Sequence, residues 1–279
     1  MNRIDNLRGL RAQGEGILSL TLAPNGLWDL GYAFELLDMM RRAGMNQLLE
    51  LVCDPDAGKM AEIAPVEVAL LKRGLQSGYR TEMISLPMVK IRERYPDLPI
   101  ITTAHIGEMF CYGQKRFLKK CVELGVDGMD TCAYQYVDDI IGFRKTVEAM
   151  GMYHITAVFA KIIDSKDPHM MHIVEQMVAN STGELFVVPG MLGHRDTLTG
   201  VQMKVYVDFI REKQAELGQH IPLIAIGGVR SPEAAYDMVH NGGLDGVHSS
   251  SAFMTKLLAN EPLEKIESYL KEFKDAVNG

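Results

Sequence analysis

Eight short apolar runs, each followed by a stretch with helical periodicity, constrain this chain more than any other feature. The runs are ILSLTL (17–22), QLLELV (47–52), PIITTAH (99–105), GVDGMDT (125–131), HITAVFA (154–160), ELFVVP (184–189), PLIAIG (222–227) and LDGVHS (244–249). They are rich in β-branched residues and bounded by glycine, proline or polar turns, which predicts strands. The stretches between them include LWDLGYAFELLDMMRRAG, QKRFLKKCVELG, YVDDIIGFRKTVEAMG, VQMKVYVDFIREKQAELG and SPEAAYDMVHNGG, several ending in the glycine that follows a helix. Strands apolar on both faces and separated by helices pair in parallel and are covered on both sides. Eight such units close into a (β/α)8 TIM barrel of the α/β class. An open doubly wound sheet is the alternative, but it requires G-x-G-x-x-G after the first strand, where TLAPNG stands. No Pro/Ser/Gly-rich linker interrupts the 279 residues. The expectation is one barrel domain over 1–279, with a helical extension at 1–16 and the barrel proper at 17–279.

Composition narrows the function. The net charge of −7, with no Lys/Arg-dense run, argues against a nucleic-acid or anionic-membrane surface. MNRIDNLRGLRAQGEG is charged and lacks the apolar core of a secretory signal, and no later run approaches a membrane span. Cys53, Cys111, Cys121 and Cys132 have no C-x-x-C spacing and are too few for a disulfide scaffold, which fits free thiols in a reducing cytoplasm. A small-molecule substrate is the default.

In such a barrel the chemistry sits at the C-terminal strand ends and the loops that follow. The polar candidates there are Glu50, Asp54, Asp56, Glu62, His105, Glu108, Asp130, Lys161, His194, Arg195 and His248. After the seventh strand, Gly227 and Gly228 let backbone approach a ligand closely, and Ser231 with Pro232 reads as an N-cap and first helical position. After the eighth, Ser249, Ser250 and Ser251 open another short helix. Backbone N–H groups and hydroxyls at a helix start attract anions, and the loops after strands seven and eight are where barrels commonly hold phosphate. A phosphorylated small molecule follows, with no metal and no cofactor expected.

The segment PVEVALLKRGLQSGYRTEMISLPMVKIRERYPDLPIITTAH (65–105) resembles the helix-two to strand-three portion of the tryptophan synthase α-subunit family. GMNQLLELVCDPDAG is similar to that family's GAD-x-x-ELG-x-P-F-S-D-P-x-A-D-G, and AIGGVRSPEAAYDMVHNGGLDGVHSSSAFMTKLL to its GFGI-S-x-P-E helix and G-A-x-S-GSA phosphate strand. The resemblance implies a divergent member: a lyase that cleaves indole-3-glycerol phosphate, by a retro-aldol reaction, to indole and glyceraldehyde 3-phosphate, in tryptophan biosynthesis. It also implies a β-type partner subunit. Its catalytic pair falls on Glu50 and, before Ala57 and Gly58, on Asp56, with Asp54 and Glu62 as alternatives. Its phosphate contacts fall on Gly200, Gly227, Gly228, Ser250 and Ser251. Thr199 of the lid falls where it orients the second carboxylate, and His105, Asp130, Lys161, Phe186, His194 and Arg195 fall around the rest of the pocket.

The departures cluster in two places. ELVCDPD lacks the Gly, Pro and Phe of the family loop, Ala133 replaces the strand-four aspartate, and His105 and Phe186 replace tyrosines. Loop six is longer and carries His194 and Arg195, which suits a second anionic group. Two other functions therefore stand beside the first: an aldolase, isomerase or epimerase for another phosphorylated compound using Glu50, His105 or Lys161, and a non-catalytic α-like subunit that regulates a β-type partner.

Overall fold

The computed structural model describes residues 2–22, 30–51, 66, 69, 85–103, 106–130, 142–190 and 197–279, with the side chains at 30, 50, 51, 85–87 and 106–108 outside that description. All eight predicted strands form: β1 Ile17–Leu22, β2 Gln47–Leu51, β3 Ile100–Thr103, β4 Gly128–Asp130, β5 Tyr153–Phe159, β6 Leu185–Val188, β7 Leu223–Ile226 and β8 Gly246–Ser249. Each pairs in parallel with the next and β8 returns to β1, closing the barrel. Around it run α1 Leu30–Arg42, α2 Ser85–Arg94, α3 Ile106–Tyr112, α4 Gln114–Glu123, α5 Phe143–Ala149, α6 Pro168–Asn180, α7 Gly200–Glu216, α8 Pro232–Tyr236, α9 Ser251–Leu258 and α10 Leu263–Asn278. α8 continues as a π-helical turn, Asp237–Asn241.

Strand alternation divides the apolar residues into two cores. Leu18, Leu20, Leu22, Leu48, Ile100, Met129, Leu185, Leu223 and Val247 face the helices and pack with α1, α4, α7 and α10. Ile17, Leu49, Ile101, Ile155, Ala157, Phe186 and Ile224 fill the barrel interior. The N-terminal segment forms two 3-10 turns, Arg3–Leu7 and Arg11–Gln13. Ile4 and Leu7 of the first turn join the interior core and stop the barrel from below. Beside this plug, Asp127 is buried yet accepts from Arg3 (2.8 Å), Arg92 (3.0 Å) and the Ile100 amide (3.0 Å), so its charge is paired as a buried carboxylate requires. Among the described residues no helix is long and apolar enough to cross a membrane.

Candidate functional site

The inward residues nearest the C-terminal strand ends are Thr21, Leu49, Thr103, Asp130, Ala157, Val188, Ile226 and His248. Solvent reaches this layer at Thr103, Ala157, Val188 and Ile226, so it forms the floor of a mouth. Asp130 is 4% exposed, and Thr103 Oγ1 donates to its Oδ2 at 3.3 Å. Phe186 lies below, fully buried, its ring centroid 6.5 Å from that of His248.

Beneath the mouth runs a buried polar column. Gln47 Nε2 donates to Glu184 Oε1 at 2.9 Å and to Ser19 Oγ at 3.3 Å. His248 bridges the two hydroxyls of β1, its Nδ1 3.0 Å from Ser19 Oγ and its Nε2 2.7 Å from Thr21 Oγ1, one ring nitrogen donating and the other accepting. Burial pulls His248 down to about 3, so the imidazole is neutral. Burial pushes the Glu184 carboxyl up to about 8; Asp130's charge adds to the rise, and the Gln47 bond opposes it. Glu184 Oε2 and Gln47 Oε1 have no hydrogen-bond partner.

The other half of the site lies at β6–β8. Gly227 and Gly228 both adopt left-handed backbone, φ 80° and 81°. A Cβ at Gly228 would sit 2.3 Å from Thr197 Cγ2, so glycine is required there by conformation and by space. Ser231 caps α8 as predicted, accepting from the Ala234 amide, with Pro232 first in the helix. At α9, Ser250 stands at the N-cap but makes no side-chain capping bond, and Ser251 opens the helix. Next to it, Ser249 Oγ is buried without a hydrogen-bond partner. A cavity of about 150 Å³ lies between Pro189, Thr197, Leu198, Gly228, Val229 and Asp237.

Two lid residues have other partners. Thr199 is the N-cap of α7 in a capping box with Gln202, its amide donating to Gln202 Oε1 at 2.9 Å. The Gly200 N–H, which the resemblance assigns to phosphate, donates to Asp237 Oδ2 at 2.6 Å, while Asn241 Nδ2 donates to Asp237 Oδ1 at 2.7 Å. Asp237 is thus an internal anion at the start of α7, where the helix dipole favours negative charge. Asp237→Asn keeps the shape and removes the charge, so it is expected to lower stability by about 1 kcal/mol. A thermal melt beside the parent protein measures this, and an unchanged Tm would contradict the role.

Of the other predicted residues, Lys161 sits half-buried in the 3-10 turn Ala160–Ser165 that follows β5. Glu50 lies one residue before the end of β2, its backbone level with Leu22 and Thr102. Counted from Gly44, the GAD-x-x-E spacing ends on Leu49, an interior residue, one position short of Glu50. Asp54, Asp56, Glu62, His105, His194 and Arg195 lie outside the described residues, as does the side chain of Glu108. Sequence reading missed Asp237 and the partners of His248. The signal for the latter was present in β1, where Ser19 and Thr21 alternate with leucines in a strand that must be buried on both faces.

Closed topology, a polar mouth at the C-terminal strand ends and a glycine- and helix-built β7–β8 end define a (β/α)8 barrel of the enzyme type. No family model matches the chain. It is a divergent relative of the tryptophan synthase alpha chains. The alpha chain of Alkaliphilus metalliredigens is 26% identical over 292 aligned positions covering 99% of both proteins. That of Lacticaseibacillus casei is 28% identical over 77% of this chain and 75% of its own. Tryptophan synthase subunit alpha from Legionella pneumophila has the same fold, with a TM-score of 0.80 at 20% identity over 100% of this chain and 99% of that one.

Proposed function

We propose that the chain is a tryptophan synthase alpha-like carbon–carbon lyase that cleaves indole-3-glycerol phosphate, or a close phosphorylated analogue, to indole and glyceraldehyde 3-phosphate. The observation that carries this reading is an end-to-end relationship to a protein of that name, spanning 99% of both chains. The left-handed Gly227–Gly228 turn and the N-terminus of α9 support it, because backbone N–H groups at such places suit a phosphate. Cleavage requires a proton delivered to ring carbon C3 and a proton removed from the C3′ hydroxyl as the C3–C3′ bond breaks. The bond's electrons return to the ring and the hydroxyl carbon becomes the aldehyde. Glu50 and Asp56 are the proposed acid–base carboxylates, Ser250 and Ser251 the proposed phosphate contacts beside the glycines, and neither a metal nor a cofactor is invoked.

A β-type subunit is the proposed partner. Phe110 on α3, which follows β3 at the mouth end of the barrel, is 52% exposed and offers an apolar contact. One cytoplasmic domain, with the N-terminal turns as its base, completes the proposal. Purified protein is incubated with indole-3-glycerol phosphate, alone and with a tryptophan synthase β subunit, and indole is measured. Indole is expected, and Glu50→Gln is expected to slow its release about a hundredfold. Absence of indole under both conditions from folded protein overturns the reading.

A further inference from the structure

The face of the barrel opposite the mouth carries a cavity of about 70 Å³, where the N-terminal turns meet the starts of β7 and β8. Arg8, Gly9 and Arg11 line one side of it, and His220, Pro222 and Asp245 the other. Gly9 makes this arrangement possible: its left-handed φ of 88° bends the chain between the two 3-10 turns, so that both arginines meet one cavity. Neither guanidinium is fully engaged. Arg8 donates from Nη2 to the Thr182 carbonyl at 2.9 Å, and its Nε stands 3.6 Å from Asp5, which leaves Nη1. Arg11 is half-buried and has no carboxylate at ion-pair distance among the described residues. Its Nη1 and Nη2 reach the Val277 carbonyl and His240 Nδ1 at 3.4 Å each, longer than an ordinary N–H bond to an acceptor. The nearby carboxylates are already satisfied. Asp245 Oδ2 accepts from Arg211 Nη2 and from the Leu223 amide at 2.7 Å, and Asp5 Oδ1 accepts from the Tyr153 hydroxyl at 2.6 Å. Arg8, Arg11 and Arg211 therefore stand against Asp5 and Asp245, an excess of positive charge on a chain whose net charge is −7. His220, exposed and without a hydrogen-bond partner among the described residues, adds a ring N–H to the second wall.

We propose that this cavity is a second anion site, at the base of the barrel, that takes a phosphate group between Arg8, Arg11 and His220. It is independent of the lyase reading and of the mouth. A guanidinium presents a rigid fork of N–H donors that pairs with phosphate oxygens through two parallel bonds. The donors here stand on opposite walls, the arginines on the N-terminal turns and His220 before β7. A planar carboxylate directs both oxygens to one side, whereas a tetrahedral phosphate offers oxygens to both walls at once. Ala12 and His220 are exposed at the rim, so the rest of a phosphate ester has a way out to solvent. A phosphate held there ties the segment Arg8–Ala12 to the entrance of β7, and it stabilises the folded barrel by mass action.

The test titrates inorganic phosphate into the isotope-labelled full chain at constant ionic strength and follows the backbone amides of Gly9, Leu10, Arg11 and Ala12 by NMR. These are expected to shift saturably with a Kd on the order of 1 mM. A phosphate at the mouth moves the amides of Gly227 and Gly228 instead, so the two ends are read separately. Arg11→Gln is expected to weaken binding at the base at least about tenfold, the size of a hydrogen bond to a charged group. Arg11→Lys keeps the charge and loses the fork, and it serves if the glutamine variant does not fold: a weakening of about threefold is expected. Acetate is expected to bind there at least about tenfold more weakly than phosphate. Glycerol 3-phosphate distinguishes the sources: saturable shifts of the base amides with it assign the phosphate group of an ester, and shifts with inorganic phosphate alone assign the free ion. Base amides that do not saturate by about 50 mM phosphate overturn the inference. So does binding unchanged in Arg11→Gln or, where that variant does not fold, in Arg11→Lys, and so does acetate binding as tightly as phosphate.

Discussion

Glu184→Gln is expected to stabilise the barrel at alkaline pH and to remove most of its loss of stability between about pH 5 and 8. Glu184 is fully buried, and its carboxyl is pushed from 4.5 up to about 8 by burial first, with Asp130's charge adding. The folded state therefore holds a proton that the unfolded chain releases near pH 4.5. Stability from this group is fully present below pH 4.5 and is lost as pH rises through about 8. At roughly 1.4 kcal/mol per pKa unit the loss is on the order of 5 kcal/mol, a large part of a domain's total. A glutamine cannot ionise, and its amide still accepts from Gln47. Urea unfolding of both proteins at pH 5, 7 and 9 checks this: the parent midpoint falls with pH and the variant's stays level. Parallel declines would mean that Glu184 is ionised in the native barrel.

His248 bounds stability from the other side. Its folded value is pulled down to about 3 from 6.5, so its contribution is present above pH 6.5 and is lost as pH falls from there towards 3. Between pH 4.5 and 6.5 the two slopes oppose each other and nearly cancel. Of these two groups, linked by the column Glu184–Gln47–Ser19–His248, the joint contribution to stability is therefore greatest between about pH 4.5 and 6.5.

The periodicity of the sequence carries the outline of this fold and little of its interior. All eight strands were legible because apolar runs of six or seven residues alternate with amphipathic helices, and the Ser231–Pro232 helix start because capping is local chemistry. Outside β1, where Ser19 and Thr21 alternate with leucines, the inward residues were not, since a strand buried on both faces gives little amphipathic contrast. Ser19, Thr21 and Gln47 build the column under the mouth, and nothing in their own letters marks that role. The strand-two glutamate shows the same limit. The letters EL place the family's role on Glu50, whereas the spacing from Gly44 falls one position earlier, on Leu49. A slip of one residue exchanges the two faces of a strand, and no composition rule detects it. Asp237 was invisible for a different reason: it meets Gly200 across 37 residues of sequence, and its position in an amphipathic segment resembles that of any solvated aspartate.

Gly200→Ala is the sharpest way to separate the two roles that Gly200 has been given. The resemblance makes it a phosphate contact, whereas the structure commits its N–H to Asp237. A Cβ on Gly200 would lie 2.1 Å from the Asp237 carbonyl oxygen and 2.6 Å from its Oδ1. The first of these is backbone within the π turn Asp237–Asn241 and cannot rotate away. Relief requires α7 and that turn to separate, which strains the packing and weakens the amide–carboxylate bond together. Overpacking at about 1–3 kcal/mol and a charged hydrogen bond at about 1.5–3 kcal/mol place the expected loss at roughly 3–5 kcal/mol. That loss shows in urea unfolding without any ligand. A glycine that only approached phosphate would behave differently: the alanine variant would unfold at the parent's urea midpoint and lose affinity for glycerol 3-phosphate. The first outcome makes Gly200 the joint that fixes the start of α7 to the π turn Asp237–Asn241, and removes it from the proposed phosphate contacts.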